Sequence, residues 1–104
     1  MKEITVQELK TMRDKQEDFQ LIDVREPYEF EHGNIDGKLI PMGTVLEHIN
    51  DISREKKVVI HCRSGMRSAS VINALEKQFG FTNLYNLKGG ILAWAAEIDR
   101  TVSV

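Results

Sequence analysis

The chain contains one cysteine, Cys62, and the residues around it are of types that favour an ionised thiol. His61-Cys62-Arg63-Ser64-Gly65-Met66-Arg67-Ser68 runs from an apolar segment into a helix-like pattern. A bend of this kind turns successive backbone N–H groups inward, where they form a cradle for negative charge. Gly65 permits the positive φ that such a bend often needs. Arg63 and Arg67 add fixed positive charge, and Ser64 and Ser68 add hydroxyl donors. An ordinary thiol with a pKa of ~8.5 is only about 3% ionised at neutral pH, and one lowered to ~6.5 is roughly 75% ionised. A thiolate held in this way is a nucleophile that needs no histidine base beside it. His61 belongs to the preceding strand and is read as a packing or hydrogen-bonding residue.

A lone cysteine also limits the chemistry. It excludes an internal disulfide and a two-thiol redox motif, and argues against a cysteine-based zinc site. His32 and His48 have no metal-ligand spacing with each other or with Cys62. No metal and no cofactor is therefore expected. Among 104 residues, 41% are hydrophobic and 29% charged, which suits one globular domain over residues 1–104. A formal net charge of −2 gives no general reason to expect a nucleic-acid partner. The N-terminal MKEITVQELK lacks the apolar stretch of a signal peptide, and no run is long enough to span a bilayer. The expectation is a cytoplasmic protein without a membrane partner.

The elements that must position the loop follow from local patterns. Thr5-Val6-Gln7-Glu8 is a capping box opening a helix. Gln20 to Val24 is an apolar run suited to a buried strand. Pro27 starts a short helix through Phe30 that Gly33 would end. Lys38 to Ile40 reads as a brief strand stopped by Pro41, and Thr44 to Glu47 as a second capping box opening a helix of about two turns. Lys57 to His61 is the clearest strand. A helix is expected from about Ser68 to Phe79, a strand from Asn83 to Leu87, a tight turn at Gly89-Gly90 and a last helix from Ile91 to Ile98 that buries Trp94. Strands alternating with helices predict an α/β fold with a mainly parallel sheet covered on both faces. Ligands of such sheets gather where strands end and helices begin, which is where Cys62 falls.

The loop resembles the active-site loop of the rhodanese superfamily. Leu21-Ile22-Asp23-Val24-Arg25-Glu26, followed by Glu29-Phe30, Gly33, Ile35, Gly37 and Pro41, is similar to that family's N-terminal signature. Leu87-Lys88-Gly89-Gly90-Ile91 with Trp94 is similar to its C-terminal one. Asn34 and Lys38 depart from the commonest residues at their positions, both outside the loop. The resemblance implies a five-stranded, mainly parallel sheet and a sulfurtransferase that carries sulfane sulfur as a Cys62 persulfide. It implies an anionic donor such as thiosulfate, or sulfur-relay proteins as partners. Residues Arg63, Ser64, Gly65, Met66 and Arg67 would then bind substrate, Arg63 by attracting the donor, with Arg67 alternatively fixing the loop to the body of the domain. Asp23, Arg25 and Ser68 would support the site, the first two as a structural ion pair or hydrogen-bond network.

Three rival functions carry distinguishable signatures. Cysteine phosphatases of a related branch resemble Cys-x₅-Arg, whereas this loop is Cys62-x₄-Arg67 with Ser68 one step further. The shorter loop suits a sulfur atom better than a phosphate. Rhodanese-like modules that only bind partners often lack the cysteine, which this chain retains. A peroxide sensor would lack a resolving cysteine here.

Overall fold

The computed structural model describes residues 1–104. A single five-stranded sheet runs through it, formed by β1 (Glu3–Ile4), β2 (Phe19–Asp23), β3 (Lys38–Leu39), β4 (Lys57–His61) and β5 (Leu84–Leu87). The spatial order is β1-β5-β4-β2-β3, and every pairing is parallel. β1, a two-residue strand, falls outside the elements read from sequence; it pairs Glu3 with Asn86 and Ile4 with Leu87. Helices α1 (Val6–Asp14), α2 (Pro27–His32), α3 (Met66–Phe79) and α4 (Gly90–Glu97) and a 3-10 helix (Met42–Asp51) complete the chain.

Alternation along the central strands separates two cores. Val58 and Ile60 of β4 and Ile22 of β2 pack with Val71, Ile72 and Leu75 of α3 and with Val45 of the 3-10 helix. Val59 and Leu21 point the other way, onto Val6, Leu9 and Met12 of α1 and Ile91 and Trp94 of α4. Trp94 is a core residue, as expected. The same alternation separates His61 from Cys62. Cys62 joins the α3 core, whereas His61 lies near Asp23.

The local chemistry of the helix starts is partly as read. The Thr5 hydroxyl oxygen accepts from the Glu8 N–H and the Glu8 carboxylate accepts from the Thr5 N–H, closing the expected box. The second box does not form. The 3-10 helix begins at Met42 directly after Pro41, and the Thr44 hydroxyl donates to the Pro41 carbonyl at 2.9 Å instead of capping a helix. His48, with φ −120°, breaks that helix. Gly33 ends α2 in an extended conformation, φ −177°. Its lack of a side chain serves space rather than torsion, because the Ser103 carbonyl occupies the place of a Cβ.

Candidate active site

The Cys62 loop is fastened at both ends before it reaches the sulfur. β4 is the middle strand and hands the chain to Cys62 in the core, where the residue is 1% exposed. Gly65, at φ 108°, takes the left-handed bend that starts α3 one residue later. α3 therefore begins at Met66, two residues before the expected Ser68, which places the Ser68 N–H in its first turn. On the far side, Ile91 and Leu92 of α4 donate their N–H groups to the carbonyls of Cys62 and Arg63 at 3.0 and 3.1 Å. Gly90, at φ 60°, lies against those same carbonyls, where any Cβ would collide. The Gly89-Gly90 turn thus lets the start of α4 hold the loop backbone from below.

Donors converge on the sulfur. The Gly65 N–H reaches Cys62 Sγ at 3.1 Å and the Ser68 N–H at 3.4 Å, while Ser68 Oγ lies 3.3 Å away. Burial pushes the thiol pKa up, but the bonds from the Ser68 hydroxyl and the N–H groups of Ser68, Gly65 and Ser64 outweigh it, leaving a net lowering. The thiolate is favoured mainly by oriented dipoles of the loop and first helical turn, as a helix N-terminus does for anions.

The two loop arginines have separate fates. Arg67 donates Nη1 to Glu29 Oε1 at 2.7 Å and Nη2 to Oε2 at 2.9 Å, joining α3 to α2. Arg63 is exposed and lines an open depression of about 540 Å³ together with Arg25, Tyr28, Glu29, His32 and Val104. The side chains of Ser64 and Met66 face outward, Met66 being 78% exposed at the loop rim.

Asp23 and Arg25 form a buried pair rather than a sulfur contact. Arg25 donates Nη2 to Asp23 Oδ2 at 2.8 Å and Nε to Oδ1 at 3.0 Å, and also reaches the Gly33 carbonyl at 2.8 Å. The pair ties the end of β2 to the end of α2. His61 lies behind it, its Nε2 3.6 Å from Asp23 Oδ2, and burial lowers its pKa most strongly. It is a packed residue of the opposite face, not a base for Cys62.

Two residues of this arrangement escape a sequence reading. Glu29 stands out only as part of a signature, although it occupies both Nη groups of Arg67. Asn86, 4% exposed on β5, accepts from Ser68 Oγ at 2.6 Å and donates from Nδ2 to the Gly65 carbonyl at 3.1 Å. Its one visible signal is a polar amide inside an apolar strand, Leu84-Tyr85-Asn86-Leu87.

Comparison with known proteins places the chain. Residues 5–97 match the model of the rhodanese-like domain. A rhodanese-like domain protein of Staphylococcus aureus superposes with a TM-score of 0.85 at 35% identity, covering 100% of this chain and 98% of that one. A sulfurtransferase of Allochromatium vinosum is 41% identical over 80 residues, which is 76% of this chain and 74% of the relative. The uncharacterized protein YqhL of Bacillus subtilis is 44% identical over 80 residues, 76% of this chain. The match spans less than two thirds of YqhL, 63%, and 25% of a longer Mycobacterium tuberculosis relative. With its parallel sheet, its Cys62 loop and these matches, the chain belongs to the rhodanese-like domain family.

Proposed function

We propose that this chain moves sulfane sulfur through a persulfide on Cys62, taking it from a small anionic donor such as thiosulfate or from a protein persulfide. One observation carries the reading. The Cys62 sulfur sits among inward-facing N–H groups that favour an anion, in a loop sized for sulfur.

In the first half-reaction the Cys62 thiolate attacks the outer sulfur of the donor. A bond forms between Sγ and that sulfur, the donor's S–S bond breaks, and its electron pair leaves with sulfite or with the donor thiolate. The negative charge then resides on the terminal sulfur of the persulfide, where the N–H groups of residues 63 to 67 would stabilise it. In the second half-reaction a thiol, cyanide or a partner protein attacks the terminal sulfur and Cys62 leaves as the thiolate. Splitting the transfer in this way gives ping-pong kinetics. Arg63 attracts the anionic donor from the depression it lines, and Arg67 holds the loop against α2. Residues 1–104 act as one catalytic domain in this reading, in the cytoplasm.

The loop length favours sulfur over phosphate. Cys62-x₄-Arg67 is one residue shorter than the Cys-x₅-Arg loops of phosphatases, and Arg67 is tied to Glu29 by two hydrogen bonds. A binding module without catalysis would have no use for a donor-lined thiol.

Intact-protein mass spectrometry under non-reducing conditions tests the proposal. Thiosulfate should add ~32 Da to the wild type, one sulfur atom in a covalent intermediate, and cyanide should remove it. Cys62→Ser should gain nothing and remain folded. A folded, reduced wild type that never gains the mass, from thiosulfate or from a persulfidated protein, would refute the persulfide step.

A further inference from the structure

The orientation of the Asn86 amide is set by what it touches. A carbonyl oxygen only accepts, so the group facing the Gly65 carbonyl at 3.1 Å must be the Asn86 NH₂. The reversed amide would press two carbonyl oxygens together. Asn86 Oδ1 therefore faces Ser68, whose hydroxyl has a single proton, and the 2.6 Å separation places that proton on Oδ1. Ser68 Oγ then presents lone pairs to Cys62 Sγ at 3.3 Å. Either atom of that contact could donate, and Asn86 decides between them. The resting chain runs from the Cys62 S–H to Ser68 Oγ, and from the Ser68 O–H to Asn86 Oδ1, with each buried polar atom satisfied.

We propose that Asn86 is a positioning residue that acts through Ser68, holding the hydroxyl proton away from the sulfur and thereby favouring the states in which Cys62 Sγ is uncharged. Those states are the thiol and, on the persulfide reading above, the loaded enzyme. When the thiol ionises, its proton goes to solvent. The Ser68 hydroxyl must then either leave Asn86 to donate to the thiolate or turn a lone pair towards a negative charge. Loading relieves this conflict. Bond formation at Sγ moves the charge to the terminal sulfur as the donor's leaving group departs, and the Ser68 proton returns to Asn86. The bare thiolate is thus kept more basic than its ring of N–H donors alone would make it. A more basic thiolate is a stronger nucleophile towards sulfur.

The other groups around the sulfur leave this role to Asn86. Arg67 on α3 senses the Cys62 charge but is bound to Glu29. His61 on β4 is turned towards Asp23, Arg63 stands exposed on the loop, and β5 contributes the uncharged amide of Asn86. The N–H groups of Ser64, Gly65 and Ser68 donate in every state, whereas the Ser68 hydroxyl lowers the thiol pKa only when it turns from Asn86 to donate to the sulfur.

The test needs no sulfur transfer, so its failure is distinct from failure of the persulfide reading. With one cysteine in the chain, the infrared S–H stretch at a pH that keeps the thiol protonated reports Cys62 alone. The wild-type band should lie at the lower frequency of a donating thiol and move to the free-thiol frequency in Ser68→Ala. The second arm reads the thiolate fraction from the pH dependence of alkylation by iodoacetamide. Asn86→Leu, close in shape, should raise that fraction roughly three- to tenfold below the midpoint, the size of one net hydrogen bond. The same substitution in a Ser68→Ala background should change nothing, as expected for a coupled pair. A free-thiol band in the wild type, unmoved by Ser68→Ala, would overturn the proposal. So would an Asn86→Leu effect of equal size with and without Ser68. If Asn86→Leu does not fold, the infrared arm decides alone.

Discussion

Arg67 and Glu29 meet through two parallel hydrogen bonds of 2.7 and 2.9 Å, although 38 positions separate them in the chain. The contact binds the first turn of α3, which carries the reactive loop, to α2. It also holds the Glu29 carboxyl at about 2, below its ordinary 4.5, chiefly through the hydrogen bond from Arg67. Arg67 is thereby the loop's fastening, and Arg63 is left as its free cation.

A carboxyl whose pKa is depressed by folding stabilises the fold at pH above its unfolded value and loses that contribution as pH falls through the folded one. For Glu29 this window runs from about 4.5 down to about 2. In urea titrations, the wild type should lose stability across that window more steeply than Glu29→Gln. At neutral pH the substitution should cost about 1 kcal/mol or less, since Arg67 is partly exposed. Equal acid profiles for the two proteins would show that the contact carries no stability.

Arg63→Ala should raise KM for thiosulfate while leaving the urea midpoint within experimental error. Its side chain is exposed beside the depression, and screened surface charge acts on encounter more than on the fold. The rise should shrink at high salt. Unchanged thiosulfate kinetics would remove Arg63 from donor recognition.

Gly90→Ala places a Cβ against the carbonyls of Cys62 and Arg63 on a backbone at φ 60°. The left-handed conformation alone costs about 1–2 kcal/mol for a residue with a side chain. The collision adds a displacement of the loop, so sulfur transfer should fall by more than the loss of stability explains. Thiosulfate turnover and alkylation rate, measured where the protein is fully folded, check this. Normal values for both would mean that the loop does not depend on α4.

Arg25→Leu leaves the Asp23 carboxylate buried without its partner. Both side chains are nearly inaccessible, at 3% and 0%, and removing one member of such a pair costs about 3–5 kcal/mol. The variant should unfold at much lower urea, while Asp23→Asn combined with Arg25→Leu should recover part of the loss. A wild-type midpoint for Arg25→Leu would mean that the buried pair carries no stability.

The fold was legible in sequence where one local rule governed a segment. β4 is a continuous apolar run, the Thr5 box closes on its own Glu8, and Gly65 sits where the bend requires it. The second box at Thr44 failed because Pro41 let the chain begin to turn earlier, and the hydroxyl found a carbonyl first. β1 is too short to show a period and exists through its pairing with β5. The site divides in the same way. Cys62 and its loop announce themselves by residue type, and strand alternation explains why His61 turns away. Glu29 and Asn86 act only through partners on other elements, and spacing along a chain does not encode such meetings.

The held loop of Cys62 has a consequence for how the molecule comes into being. Its supports come from the end of β5, the start of α4 and the first turn of α3, and the central place of β4 depends on the completed order β1-β5-β4-β2-β3. Such non-local topologies assemble slowly compared with local ones. Until they close, the thiol has no converging dipoles and behaves as an ordinary one, mostly protonated at neutral pH. A nascent chain is therefore chemically quiet, and the sulfur becomes reactive as the architecture locks. The rate at which an electrophile labels Cys62 is in that sense a clock for maturation.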